Sequence, residues 1–127
     1  MNTNETKITD TNEEVVIDAS NKSLGRIATE AAEILRGKNS SSFEKNKITG
    51  KKVNIINASS IKITTRNKTR QKTYVRYSGY PGGKKEESLD KLSKRLGYKE
   101  VIKRAVYGMI PNNKLRPLLM KRLNISE

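Results

Sequence analysis

The sequence predicts a small α/β domain with helices on both faces of a mostly parallel four-stranded sheet. Three observations point there. The first apolar run, Val15-Val16-Ile17, is short and β-branched, which suits a buried strand. An amphipathic stretch follows it, long enough to cross back over a sheet as a parallel strand pair requires. Further short β-type runs come next, and three helical patterns close the chain. The 127 residues suit one compact domain.

In order, residues 1–14 are polar and acidic, with one Lys against four acids. They read as a disordered tail, and residues 15–127 as a single domain. After the first strand, Ser20 to Ser23 offer turn and N-cap chemistry. Leu24, Ile27, Ala28, Ala31, Ile34 and Leu35 then recur at helical spacing, which predicts a helix over Leu24–Arg36 closed by Gly37. Gly25 costs helix propensity in its first turn. It implies close packing on the sheet or close approach of a phosphate. Arg26 stands at a helix N-terminus, which attracts anions.

Residues 38–52 form a polar, basic loop with Phe43 as its local anchor. Val53–Asn57 reads as a second strand, Ala58 to Ser60 as a turn, and Ile61–Thr64 as a third strand by alternation. Residues 65–72, TRNKTRQK, carry four cations and nothing apolar. They lead into a fourth strand, Thr73–Tyr77, in which Tyr74, Val75 and Tyr77 are expected to pack and Arg76 to point out.

The segment RYSGYPGGKK, residues 76–85, is the densest in unusual chemistry. Pro81-Gly82 fits the centre of a type II turn, where glycine supplies positive φ. Gly79 and Gly83 leave backbone N–H groups bare, as in anion-binding nests. Lys84 and Lys85 add charge, and Tyr77 and Tyr80 offer planar faces for bases. It is not a nucleotide-binding P-loop, because Lys85 follows Lys84 where Ser or Thr is required. Helices are then expected from Ser88 to Gly97, from Lys99 to Met109 and from Pro117 onward, with Leu123-Asn124-Ile125 as a last short strand.

Composition narrows the function classes. Lys and Arg number 27 against 13 Asp and Glu, a net charge of +14, and mean hydropathy is −0.78. Such charge repels itself unless a polyanion neutralises it. Nucleic acid fits best, since phosphate neutralisation with counterion release drives the binding of basic proteins. The chain has no Cys and no His, so thiolate metal sites, disulfides and the commonest general base are excluded. No metal, cofactor or small-molecule substrate is expected. The acid pairs Glu13/Glu14 and Glu86/Glu87 lack partners nearby in sequence, so an enzyme is not expected. No apolar run could span a bilayer, and a cytoplasmic protein without membrane contact is the expectation.

Four pieces in order carry a family resemblance: VVIDASNKSLGRIATEAAEILRGK, VNIINASSIKIT, YVRYSGYPGG and VIKRAVYGMIPNNKLRPLLMKRL. The chain resembles, from Val15 to Ile125, the bacterial type of the universal L-thirteen family of large-subunit ribosomal proteins. It departs at Glu13-Glu14, where an aromatic is usual, and at Tyr77, where His is common. The resemblance implies a three-layer α/β/α sandwich, without catalysis. It implies direct binding of large-subunit ribosomal RNA early in assembly, beside neighbouring large-subunit ribosomal proteins. It implies RNA contacts by Arg66, Lys68, Arg70, Lys72, Arg76, Tyr77, Tyr80, Gly82, Gly83 and Lys84. From the helices and their flanks it adds Arg26, Arg36, Lys38, Arg104, Asn113 and Lys114. Two other classes compete. One is a free basic regulator of messenger RNA or an RNA chaperone; the other is a hydrolase with a hidden carboxylate site.

Overall fold

The structure, a computed structural model, describes residues 14–63 and 66–127, with the backbone alone for residues 66–68. The expected acidic tail lies outside the described residues except for Glu14, which opens the first strand. Strand β1 (Glu14–Asp18) leads through helix α1 (Leu24–Arg36) to β2 (Lys52–Ile56). A 3₁₀ turn (Ala58–Ser60) and helix α2 (Arg66–Gln71) follow. Strands β3 (Thr73–Tyr77) and β4 (Lys84–Ser88), helices α3 (Leu89–Met109) and α4 (Arg116–Met120), and strand β5 (Leu123–Ile125) complete the chain.

The α/β class and the parallel sheet are as expected, but the strands divide differently. The sheet has three strands in the order β1-β2-β5, all parallel. β3 and β4 form a separate antiparallel hairpin. The expected strand at Ile61–Thr64 is reduced to one bridge between Ser23 and Lys62, with Thr64 outside the described residues. Ile61 and Ile63 are half-buried, so the alternation is real, but the chain makes no ladder there. Conversely KKEES, where no strand was expected, is strand β4, and the helix expected from Ser88 starts at Leu89.

Register explains where the core lies. Ile17 pairs with Ile55, and Ile55 with Ile125, so these side chains share one sheet face. On that face they meet Ile27, Ala28, Ala31 and Leu35 of α1, and Ile102 and Val106 of α3, all fully or nearly fully buried. The other face carries Glu14, Val16, Asn54 and Asn124. Val16 is 59% exposed, so this face is open among the described residues.

Local chemistry sets the element ends. Gly37 at φ 74° closes α1, its N–H reaching Ile34 while Lys38 N–H reaches Glu33, the Schellman arrangement. Gly50 packs so tightly on the Leu35 carbonyl that no side chain fits. The two helices expected around Gly97 meet there, since Gly97 breaks α3 at φ 77°. Ser88 caps α3 by accepting from Lys91 N–H at 3.4 Å. Helix α4 starts at Arg116, one residue before the expected Pro117. Asn113 Oδ1 accepts from the N–H groups of Leu115 and Arg116, each at 3.1 Å, and holds that turn.

Candidate nucleic-acid interface

The β3–β4 hairpin is held by its own ladder and by one end. At its base Leu89 N–H donates to the Lys72 carbonyl at 2.9 Å. Tyr74 packs against Leu89, Leu92 and Val101 in a small second core. Beyond that point the strands are exposed. The expected packing of Val75 and Tyr77 does not occur; they are 59% and 65% exposed. Alternation is the reason: Tyr74 faces the body, so Val75 and Tyr77 both face away from it. Arg76 and Lys85 are exposed as well.

The tip forms the type II turn that Pro81-Gly82 implies. Gly82 has φ 71°, and Gly83 N–H donates to the Tyr80 carbonyl at 2.9 Å. Gly82 and Gly79 both have positive φ, and a side chain at either would meet nothing within 4 Å. Their backbone is open to an outside molecule. Gly83 is different, because a Cβ there would strike the Ser78 hydroxyl. Tyr80 is 75% exposed at the tip.

Electrostatics at the hairpin base are already organised. Arg95 donates twice to the Glu87 carboxylate, at 2.9 and 2.7 Å, and this holds Glu87 below the ordinary carboxylate range. Arg104 lies 5.1 Å from the centre of the Tyr74 ring, and Lys72 lies 5.6 Å from it. Arg104 also donates to Glu100 at 3.1 Å. Burial raises the Tyr74 hydroxyl above its usual pKa, against the pull of Arg104. Lys84 pairs with Glu86 at 2.9 Å. Glu86 and Glu87 both serve ion pairs within or beside the hairpin.

Within the basic run, Arg66–Gln71 form α2. Arg70 is exposed on it. The side chains of Arg66 and Lys68 lie outside the described residues. A second basic surface lies at the C-terminal end of α1. Arg36 sits 5.9 Å from the Phe43 ring, so Phe43 anchors the loop as expected. Arg36, Lys45, Lys47 and Asn113 line one shallow cleft there. Lys38 and Lys114 are exposed. Arg26 stands exposed at the other end of α1. Gly25 beside it meets no neighbour within 4 Å, so tight packing on the sheet does not explain that glycine.

The structure thus gathers Arg70, Lys72, Arg76, Tyr77, Tyr80, Gly82, Gly83, Lys84 and Arg104 on or beside the hairpin. It places Arg36 and Asn113 at the cleft, and leaves Arg26 apart. Sequence reasoning placed Lys45 and Lys47 in the basic loop of residues 38–52 and assigned neither to the candidate site, although both line the cleft. It also missed Arg116, whose guanidinium lies 3.8 Å from the Tyr107 ring centre. That contact joins α4 to α3 across a turn and leaves no trace in local spacing.

Among the described residues no cluster of His, Cys, Asp or Glu could hold a metal ion, and no helix is long and apolar enough to cross a membrane. A strongly basic α/β domain with a projecting, unpacked arm has the build of a structural component of a larger assembly. Residues 12–127 match the family described as Ribosomal protein L13, and the chain belongs to it. It is a ribosomal protein, structural rather than enzymatic. Relatives named "Large ribosomal subunit protein uL13" include one from Synechocystis, 49% identical over 110 residues, covering 87% of this chain and 72% of the relative. Others come from Microcystis aeruginosa at 48% and Prochlorococcus marinus at 44%, with the same coverage.

Proposed function

We propose that this chain is a constituent of the cytoplasmic large ribosomal subunit that binds large-subunit ribosomal RNA directly and supports early subunit assembly and translation. One observation carries the reading. The hairpin exposes Val75, Tyr77 and Tyr80 at 59%, 65% and 75%, beside Arg76 and Lys85, with only a small core at its base. Apolar and aromatic groups interleaved with cations suit RNA, whose phosphates take the charge and whose bases take the rings. Family membership supports the ribosomal setting.

On this account the tip glycines let the RNA backbone approach closely, and Arg36, Lys38 and Lys114 hold a second stretch of RNA. Neighbouring ribosomal proteins cover part of the remaining surface. The test is co-sedimentation with large subunits in high salt. Retention in the subunit peak, and in assembly precursors, is expected. Recovery only in the free pool would favour the regulator outside the ribosome.

A further inference from the structure

Hairpin register sorts the basic residues onto two unlike faces. Tyr77 pairs with Lys84, and Val75 with Glu86, so these four share the outer face. There the Lys84 ammonium is already matched by Glu86 at 2.9 Å. Arg76 pairs with Lys85, and Tyr74 with Glu87, on the inner face. Lys72 belongs to the same row, since it lies over the Tyr74 ring.

Arg76 and Lys85 are like charges set directly opposite each other. Such pairs place Cβ atoms about 5 Å apart and destabilise a ladder. The nearest carboxylate on their face, Glu87, is held by both nitrogens of the Arg95 fork. Glu86 is on the other face with Lys84. Among the described residues neither Arg76 nor Lys85 has an ion-pair or hydrogen-bond partner for its side chain. The hairpin thus spends its two carboxylates elsewhere and keeps one repulsive cation pair open.

We infer that Arg76 and Lys85 together grip one backbone phosphate of the RNA, and that Lys85, rather than Lys84, is the hairpin lysine that makes this contact. The inference rests on the RNA-binding reading above. A phosphate between the two side chains turns their repulsion into two charge-assisted hydrogen bonds. Bare backbone at Gly79 and Gly82 leaves room for the strand that carries it. Lys84, neutralised by Glu86, instead keeps the outer face near zero charge beside Val75 and Tyr77.

The experiment measures affinity of the full chain for in-vitro-transcribed large-subunit ribosomal RNA across a salt series. The double variant Arg76→Ala/Lys85→Ala is expected to flatten the log–log slope by about 0.7 to 0.9, the value for one phosphate. Each single variant should produce most of the affinity loss of the double, because both cations serve one phosphate. Lys84→Ala, which bares the Glu86 carboxylate, should cost less affinity than Lys85→Ala. Without RNA, Lys85→Ala should keep or raise Tm, since it removes a repulsion; a merely structural lysine would lower it. A Lys84→Ala effect as large as that of Lys85→Ala overturns the grip. So does a steep unmodified slope that Lys85→Ala fails to change, which would leave RNA binding itself intact. An unmodified chain with no salt-dependent affinity would defeat the RNA-binding reading and the grip together.

Discussion

The β1–β2 pair of the parallel sheet and the β3–β4 hairpin are both built from five-residue strands, yet they are stabilised in opposite ways. In the sheet, Ile55 and Val53 are 0% and 1% exposed and meet two helices. In the hairpin, Val75 is 59% exposed, and the strands beyond Tyr74 have their ladder and the exposed Lys84–Glu86 pair but no core. A two-stranded ribbon of this kind is marginal in water. The difference teaches that the domain folds on one side and waits on the other: the sheet closes its own core, whereas the hairpin leaves its chemistry for a partner.

Core truncation is the strongest way to break that contrast. Ile55→Ala is expected to cost about 2–5 kcal/mol of stability, through lost burial and a cavity. Val75→Ala should change stability by about 0.5 kcal/mol or less. Chemical denaturation measures both, and equal losses would mean the hairpin packs as the sheet does. The glycines sharpen the same point. Gly50→Ala forces a Cβ into the Leu35 carbonyl and should cost about 1–3 kcal/mol. Gly25→Ala meets nothing within 4 Å and should stabilise the helix, by up to about 1 kcal/mol. A destabilised Gly25→Ala chain, read by thermal melting, would place a neighbour against that helix turn.

Smaller effects concern charge. Glu87→Gln loosens the hairpin base by removing the Arg95 pair, and a slight fall in Tm at neutral pH is expected. Glu87 is held below its ordinary 4.5 by Arg95, so this contribution is full above pH 4.5 and fades as pH falls through the lowered value. The gap between wild type and Glu87→Gln should therefore close in acid, as melting curves from pH 7 downward would show. A second charge effect belongs to Asp18. The Ser20 N–H, the Asn57 amide and the Ser20 hydroxyl bind its carboxylate and lower its pKa from 3.8 to about 2. Asp18→Ala should lower Tm above pH 3.8, and the difference should fade as pH falls through about 2. A gap unchanged over that range would show that the carboxylate charge contributes nothing.

The same contrast governs what could be read in advance. β1, α1 and β2 were legible to within about a residue because each buries a periodic apolar face. Pro81-Gly82 marked its turn because the positive φ at the second position demands glycine. α2 and β4 were not legible. TRNKTRQK has no apolar residue to show a helical period, and KKEES has none to show alternation, since neither segment enters the main core. Cations of the candidate site could be counted but not sorted. Whether Lys84 or Lys85 keeps a free charge depends on cross-strand register and on which carboxylate lies beside it. Arg26 shows the reverse case: its exposure agrees with an anion-binding role, but nothing in the fold joins it to the hairpin.

The most direct measurement is a map of RNA cross-links along the chain in assembled large subunits. The account predicts cross-links concentrated at Arg76, Tyr77, Tyr80 and Lys85, a second set around Arg36 and Lys38, and none within the buried sheet face. Cross-links confined to the open sheet face near Val16 and Asn124, with the hairpin unmodified, would contradict it.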